Sequence, residues 1–190
     1  MKNRIGNIFM ILGVTLMLAA LSLFAWNTYN DYKANTKSQE ILYQVKKQVE
    51  DKFSDPNDMN MTVVEIGGYG YVGYLSFPSF GIELPVMSEL DNTRLKMAPC
   101  RYYGTTKGDD LVIAAHNYKR HFGFLKKCSI GDKIIFTDMD GVATLYEVVA
   151  VDILTSGAVE EMNSGEYDLT LFTCTYGGKN RITVRCDRIR

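Results

Sequence analysis

The sequence predicts a mainly β domain, a closed barrel or a sandwich with a few short helices, preceded by a membrane-spanning helix. Two observations carry this expectation. Beyond residue 62 the chain is a series of short segments rich in β-formers, separated by Gly, Pro, Asn and Asp. Near the N-terminus, residues 8–26 run without a charge. The chain has 190 residues, enough for one domain of ordinary size plus an anchor. Its formal net charge of −1 leaves no basic footprint for nucleic acid. Neither repeats nor low-complexity stretches are present.

The elements follow in chain order. Lys2 and Arg4 precede the uncharged run, which spans about 28 Å as a helix, nearly a bilayer core. Trp26 and Tyr29 suit the interfacial belt, and the positive start favours a cytoplasmic N-terminus. The alternative is a cleaved signal peptide. Small residues around Ala19, Ala20 and Ala25 lack a clear Ala-x-Ala pattern, so an uncleaved anchor is favoured. Either reading places the rest of the chain outside the cytoplasm. We divide the chain into a cytoplasmic tip and anchor (1–26), a helical stalk and linker (27–60) and a β domain (61–190).

Within 27–53, Ile41, Val45, Val49 and Phe53 recur every four residues, and Leu42 widens the stripe. That is a helix packed on the domain or a stalk from the membrane. Residues 54–60 read as a linker. Strands are predicted at 71–77 and 81–86, separated by Pro78. A short helix at 92–98 ends at Pro99, and the apolar run 111–116 is a buried strand. Phe122 to Lys127 forms a brief helical turn. Strands at 133–137 and 143–154 join through Asp138-Met139-Asp140-Gly141, a hairpin turn signal.

The last two strands, 168–174 and 181–190, flank a turn containing Gly177 and Gly178. Paired as an antiparallel hairpin, they set Cys174 opposite Arg181, Phe172 opposite Thr183 and Thr170 opposite Arg185. Side chains alternate between faces. Leu169, Leu171, Thr173, Ile182, Val184 and Cys186 then form a core face. Thr170, Phe172, Cys174, Arg181, Thr183 and Arg185 form the less apolar one.

This register places a thiol beside a guanidinium. A neighbouring cation favours the nucleophilic thiolate over the thiol, and a nucleophile also needs a base. Of the two histidines, His116 ends the stiff apolar strand and is followed by Asn117. His121 falls in a polar loop and is expected to be solvated. The alternative is that Cys174 is a small core residue and Arg181 a surface charge. The four cysteines invite a disulfide framework. Cys186 falls on the core face, and pairing of Cys100 with Cys128 stays open. No CxxC or HExxH metal spacing occurs.

Thr170-Leu171-Phe172-Thr173-Cys174 resembles the TLxTC signature of sortases, the cysteine transpeptidases of Gram-positive cell surfaces. Arg181-Ile182-Thr183-Val184 resembles their strand that opens with an essential arginine. Residues 111–116 resemble the strand that ends in their histidine, and 81–86 resemble their early strand pair. The resemblance runs from about residue 71 to the C-terminus. The loop from Cys174 to Arg181 is shorter than in many sortases, which leaves the class open. Asp55-Pro56 is similar to the lid of pilin-building sortases, but Asn57 stands where they carry an aromatic residue, so no lid is expected.

The resemblance implies a closed sortase-type β-barrel and acyl transfer. Cys174 is expected to attack the Thr–Gly carbonyl of an LPxTG-like sorting signal. His116 is expected to protonate the leaving amine, and Arg181 to hold the substrate backbone and oxyanion. Thr173 and Asn117 are candidates for shaping or binding at the site, and residues 151–167 for a wall of the peptide groove. The implied partners are surface proteins bearing a sorting motif, an amine acceptor (a peptidoglycan precursor or a pilin lysine) and the membrane. Some sortases bind calcium through acidic loops. Glu160, Glu161 and Glu166 read as a solvated face, so no cofactor is assigned. Two other readings are an extracytoplasmic cysteine endopeptidase and a membrane-tethered domain that only binds peptides.

If residues 8–26 are an uncleaved anchor with the domain outside, protease added to intact protoplasts should remove the domain and leave a small membrane fragment. A protected domain would reverse the orientation, and intact protein in the medium would exclude the anchor.

Overall fold

In the computed structural model, residues 2–49, 60–162 and 165–190 are described. The expected linker and the lid position at 55–57 lie outside them, apart from Asn60. The chain divides into two compact units, residues 1–33 and 34–190.

Helix α1 (Lys2–Val49) contains the uncharged run. It is long and apolar enough to cross a membrane, and none of its most apolar window is buried. In the second unit the described part of the predicted stripe packs on the domain, while Phe53 lies outside the described residues. Ile41, Leu42 and Val45 are buried, and Val49 is partly so. Ile41 and Val45, with Val49 packed against them, cluster with Val64, Tyr71, Met87 and Met139. Lys46 Nζ lies 2.7 Å from a Glu83 carboxylate oxygen and over the Tyr74 ring.

The β domain closes on itself. Its strands are β1 (Val64–Ile66), β2 (Tyr69–Phe77), β3 (Ile82–Met87), β4 (Cys100–Tyr103) and β5 (Leu111–Ala114). They continue with β6 (Lys133–Asp138), β7 (Ala143–Thr155), β8 (Leu169–Cys174) and β9 (Asn180–Arg188). Eight pair in the order β2-β3-β4-β5-β8-β9-β7-β6, and β6 returns to β2, so no edge is left open among them. Strand β1 adds to the outside of β2. Of the two folds the spacing allowed, the chain adopts the closed barrel. Its core contains Leu75, Phe77, Leu84, Ile113, Phe136, Tyr146 and Leu171, all buried.

Most boundaries fall within two residues of the sequence expectation. The short helix expected at 92–98 is a 3-10 turn, Arg94–Lys96, started by Asp91, whose Oδ1 accepts from the Thr93 and Arg94 amides. The hairpin turn at 138–141 holds because Asp138 Oδ1 accepts from the amides of Asp140 and Val142. The three-residue β1 and a 3-10 turn at Pro78–Phe80 were not anticipated, nor were two further elements. Strand β4 is four residues with a register shift, too short to show alternation. Helix α2 (Val159–Met162) is a single turn, which has no period to detect.

One expectation is overturned. His121 is fully buried, not solvated. The polar run 117–121 folds back on itself: the Phe122 amide donates to the His116 carbonyl, and the His121 and Gly123 amides to that of Tyr118. Phe122 and Phe124 enter the core and draw His121 inward. Local polarity marked the loop correctly but not its burial.

The packed face of α1 yields a stability prediction. Val45→Ala removes a side chain of zero exposure and should cost about 2 kcal/mol. Tyr43→Ala, on the exposed face, should stay within about 0.5 kcal/mol. Denaturant unfolding followed by circular dichroism reads both, and equal effects would show that this face does not hold the helix.

Candidate active site

Two strand pairings bring the candidate residues to one edge of the barrel. Strands β5 and β8 run parallel, with Val112 beside Thr170 and Ala114 beside Phe172. Parallel strands end at the same edge, so the residues after β5 and at the end of β8 emerge together. Beyond the last pair, the Ala115 amide donates to the Phe172 carbonyl at 3.2 Å. The Thr173 hydroxyl donates to the Ala115 carbonyl at 2.7 Å. His116 therefore leaves the sheet alongside Cys174.

Strand β9 returns antiparallel, and its register with β8 is the one read from the sequence, from Leu169 opposite Cys186 to Cys174 opposite Arg181. The connecting loop is pinned without a bulge. The Thr175 amide donates to the Asn180 carbonyl, and the Asn180 amide to the Thr175 hydroxyl. Gly177 and Gly178 both take positive φ, which glycine adopts without strain. Arg181 Nη1 donates to the Gly178 carbonyl at 3.0 Å and to that of Asn180 at 3.2 Å. Those two contacts orient the guanidinium at the loop.

The four thiols differ in exposure. All are free, so Cys100 and Cys128 do not pair. Burial pushes the Cys100 and Cys128 thiols up to about 12 and raises that of Cys186 as well, so all three stay protonated and inert. Cys174 is partly exposed. His116 is also partly exposed. Desolvation, and secondarily the charge of Lys96, lowers its pKa, so its imidazole is neutral at neutral pH. Its ring lies against Tyr118, which in turn lies against His121.

Thr173 sits on the core face, almost fully buried, with its hydroxyl committed to the Ala115 carbonyl. Asn117 is exposed next to His116. The loop after His116 also needs Gly123. A Cβ there would come within 2.5 Å of the Asn117 carbonyl oxygen and 2.7 Å of that of Tyr118. The face expected to be the more open one is covered beside Cys174. Met162 of α2 packs with Val112, Ala114 and Phe172, all buried, and Leu154 of β7 joins them. Arg185 lies beneath α2 and is 4% exposed. Sequence reasoning placed it on the correct face but did not foresee the cover, because α2 is too short to read. Among the described residues no group of three or more His, Cys, Asp or Glu side chains is placed to hold a metal ion.

A family model described as the sortase domain matches residues 75–189. Among solved structures, sortase C1 from Streptococcus suis is 26% identical, with a TM-score of 0.54 over 63% of this chain and 73% of its own. Sortase C from Clostridium perfringens SM101 is 21% identical, with a TM-score of 0.55 over 84% of this chain and 95% of its own. Sortase A from Corynebacterium diphtheriae is 19% identical, with a TM-score of 0.59 over 86% of this chain and 92% of its own. The latter two show likeness of fold. One structure of the Clostridium perfringens enzyme is described with the C-terminal cell wall sorting motif. A comparison with curated proteins finds no match.

The buried His121 predicts a pH dependence of stability. Burial lowers its pKa from 6.5 to about 4, with His116 adding to the shift. Between those values the unfolded chain binds a proton that the folded chain excludes, so stability falls as pH falls through this window. The loss should reach about 3 kcal/mol at the lower end. His121→Leu should flatten the curve of unfolding free energy against pH relative to wild type. Parallel curves for the two proteins would contradict the assignment.

Proposed function

The chain belongs to the sortase family, and from that premise we propose that it is a cysteine transpeptidase with Cys174, His116 and Arg181 as its catalytic residues. The observation that carries the reading is positional. The partly exposed thiol stands directly opposite Arg181 and emerges beside His116, while the other three thiols are buried.

The chemistry follows from those groups. Cys174 Sγ attacks the Thr–Gly carbonyl of an LPxTG-like sorting signal. The neutral His116 imidazole takes the thiol proton and delivers it to the leaving amine. A thioacyl intermediate results. Arg181 donates to the substrate backbone and to the developing oxyanion; its planar fork suits this better than a point charge. An incoming amine from a peptidoglycan precursor or a pilin lysine then gives its proton to His116 and attacks the thioester. Thr173 holds the Ala115 carbonyl and so supports His116 from below, while Asn117 faces the solvent beside it. The uncharged helix segment anchors the enzyme in the cell membrane with the domain outside, facing its surface-protein substrates.

The test is turnover of a panel of sorting peptides, with and without an added amine. Peptide joined to the amine identifies a transpeptidase, and peptide released by water alone identifies an endopeptidase. A thiol-reactive probe should label the wild type at a position lost in Cys174→Ala, which should also abolish turnover, whereas Cys186→Ala should keep it. Arg181→Lys should lower kcat on the order of 10²–10³. Full activity of Cys174→Ala would overturn the reading, and full activity of Arg181→Lys would remove the oriented-donor role.

A further inference from the structure

Arg185 is a buried cation that the proposed chemistry does not use. Along β9 it lies four residues beyond Arg181, about 13 Å on a strand, too far to share one oxyanion. It is 4% exposed. Its Nη1 donates to the Thr170 hydroxyl at 3.0 Å and reaches the Met162 carbonyl at 3.5 Å. Its Nη2 donates to the Glu161 carbonyl at 2.7 Å. The Tyr167 ring lies 5.3 Å from its guanidinium carbon.

Glu161 and Met162 end α2. The last carbonyls of a helix have no partner within it, and the helix dipole makes them favourable acceptors for a cation. A single turn is not stable alone, so α2 depends on tertiary ties. The side chain of Met162 packs on Val112, Ala114 and Phe172. Val112 and Ala114 lie on the strand leading to His116, and Phe172 lies on the strand ending in Cys174. Arg185 holds the backbone of the same residue. Thr170, the third point of attachment, is itself on β8, opposite Arg185. One guanidinium thus ties α2 to the strand that carries the candidate nucleophile.

We propose that Arg185 is a positioning residue for the peptide groove. By fixing α2 to β8, it sets the position of the segment that the buried Met162 seats on Phe172, two residues before Cys174. The proposal rests on the sortase reading for what the groove binds, but not for the tie itself. Arg185 touches neither the thiol nor the attacked carbonyl, so its loss should change how the peptide is held, not the bond-breaking step.

The experiment compares wild type, Arg185→Lys, Arg185→Met and Met162→Ala as full-length protein in nanodiscs, with circular dichroism as the control for folding. Arg185→Met strands two helix-end carbonyls and should raise the KM for the sorting peptide about tenfold, with kcat changed less than threefold. Lysine keeps the charge without the planar fork, so Arg185→Lys should restore part of the difference. Met162→Ala, which keeps the tie but removes the buried contact that seats α2, should also raise KM. Alkylation of Cys174 by a small reagent should proceed at the wild-type rate in all. Limited proteolysis should cut within residues 155–168 faster in Arg185→Met than in wild type.

An unchanged KM, a lower KM or an equal fall in kcat and kcat/KM would overturn the positioning role; a lower KM would make α2 a gate. If Arg185→Met does not fold, Arg185→Lys and Met162→Ala decide the same question. If wild type turns over no sorting peptide, the functional reading fails, and proteolysis still decides whether Arg185 holds α2.

Discussion

The site depends on the parallel pairing of β5 with β8. The two strands are far apart in sequence, and the connection between them contains the whole β6–β7 hairpin. Because they run in the same direction, both end at the same barrel edge, and the residues that follow them become neighbours. Two hydrogen bonds extend the pairing by one step, from the Ala115 amide to the Phe172 carbonyl and from the Thr173 hydroxyl to the Ala115 carbonyl. The second uses a side chain on the core face to place a main chain whose next residue is His116. With β9 returning antiparallel, the second residue after β5, the last residue of β8 and the second residue of β9, namely His116, Cys174 and Arg181, lie at the same edge of the barrel.

Burial then differentiates groups of the same type. Three thiols lie in the interior, where the charged form is disfavoured, and one lies at the edge. Likewise His121 is fully buried while His116 is partly exposed, so only the latter meets solvent. The two histidines are linked through the Tyr118 ring, in a loop that Gly123 allows to close tightly. The two arginines of the outer face divide in the same way. Arg181 lies at the loop with its guanidinium on two carbonyls, and Arg185 is sealed beneath α2.

The part of α1 that belongs to the second unit meets the barrel through a narrow stripe. Two of its buried positions, Ile41 and Val45, belong to a second apolar cluster on the outer side of β1 to β4, separate from the barrel core. Between the sheet and this helix segment, Tyr71, Met87 and Cys100 become buried although they do not face the barrel interior. This accounts for the apolar character of both faces of β2 and β3 in the sequence.

What the sequence determined by itself was whatever depends on period and local turns. The alternation along 168–174 and 181–190, with two glycines between, specified the β8–β9 register residue by residue, because a slip of one would turn the core face outward. The uncharged run, the stripe of α1 and the hairpin at 138–141 were legible for the same reason. Tertiary structure alone decided the parallel partner of β8, since no local period encodes which distant strand lies alongside. It also decided that His121 is buried, that β4 pairs at all, and that a one-turn helix covers Arg185. Those features arise where a short or polar segment is held by contacts from elsewhere in the chain, and a contact between distant residues leaves no periodic trace in either.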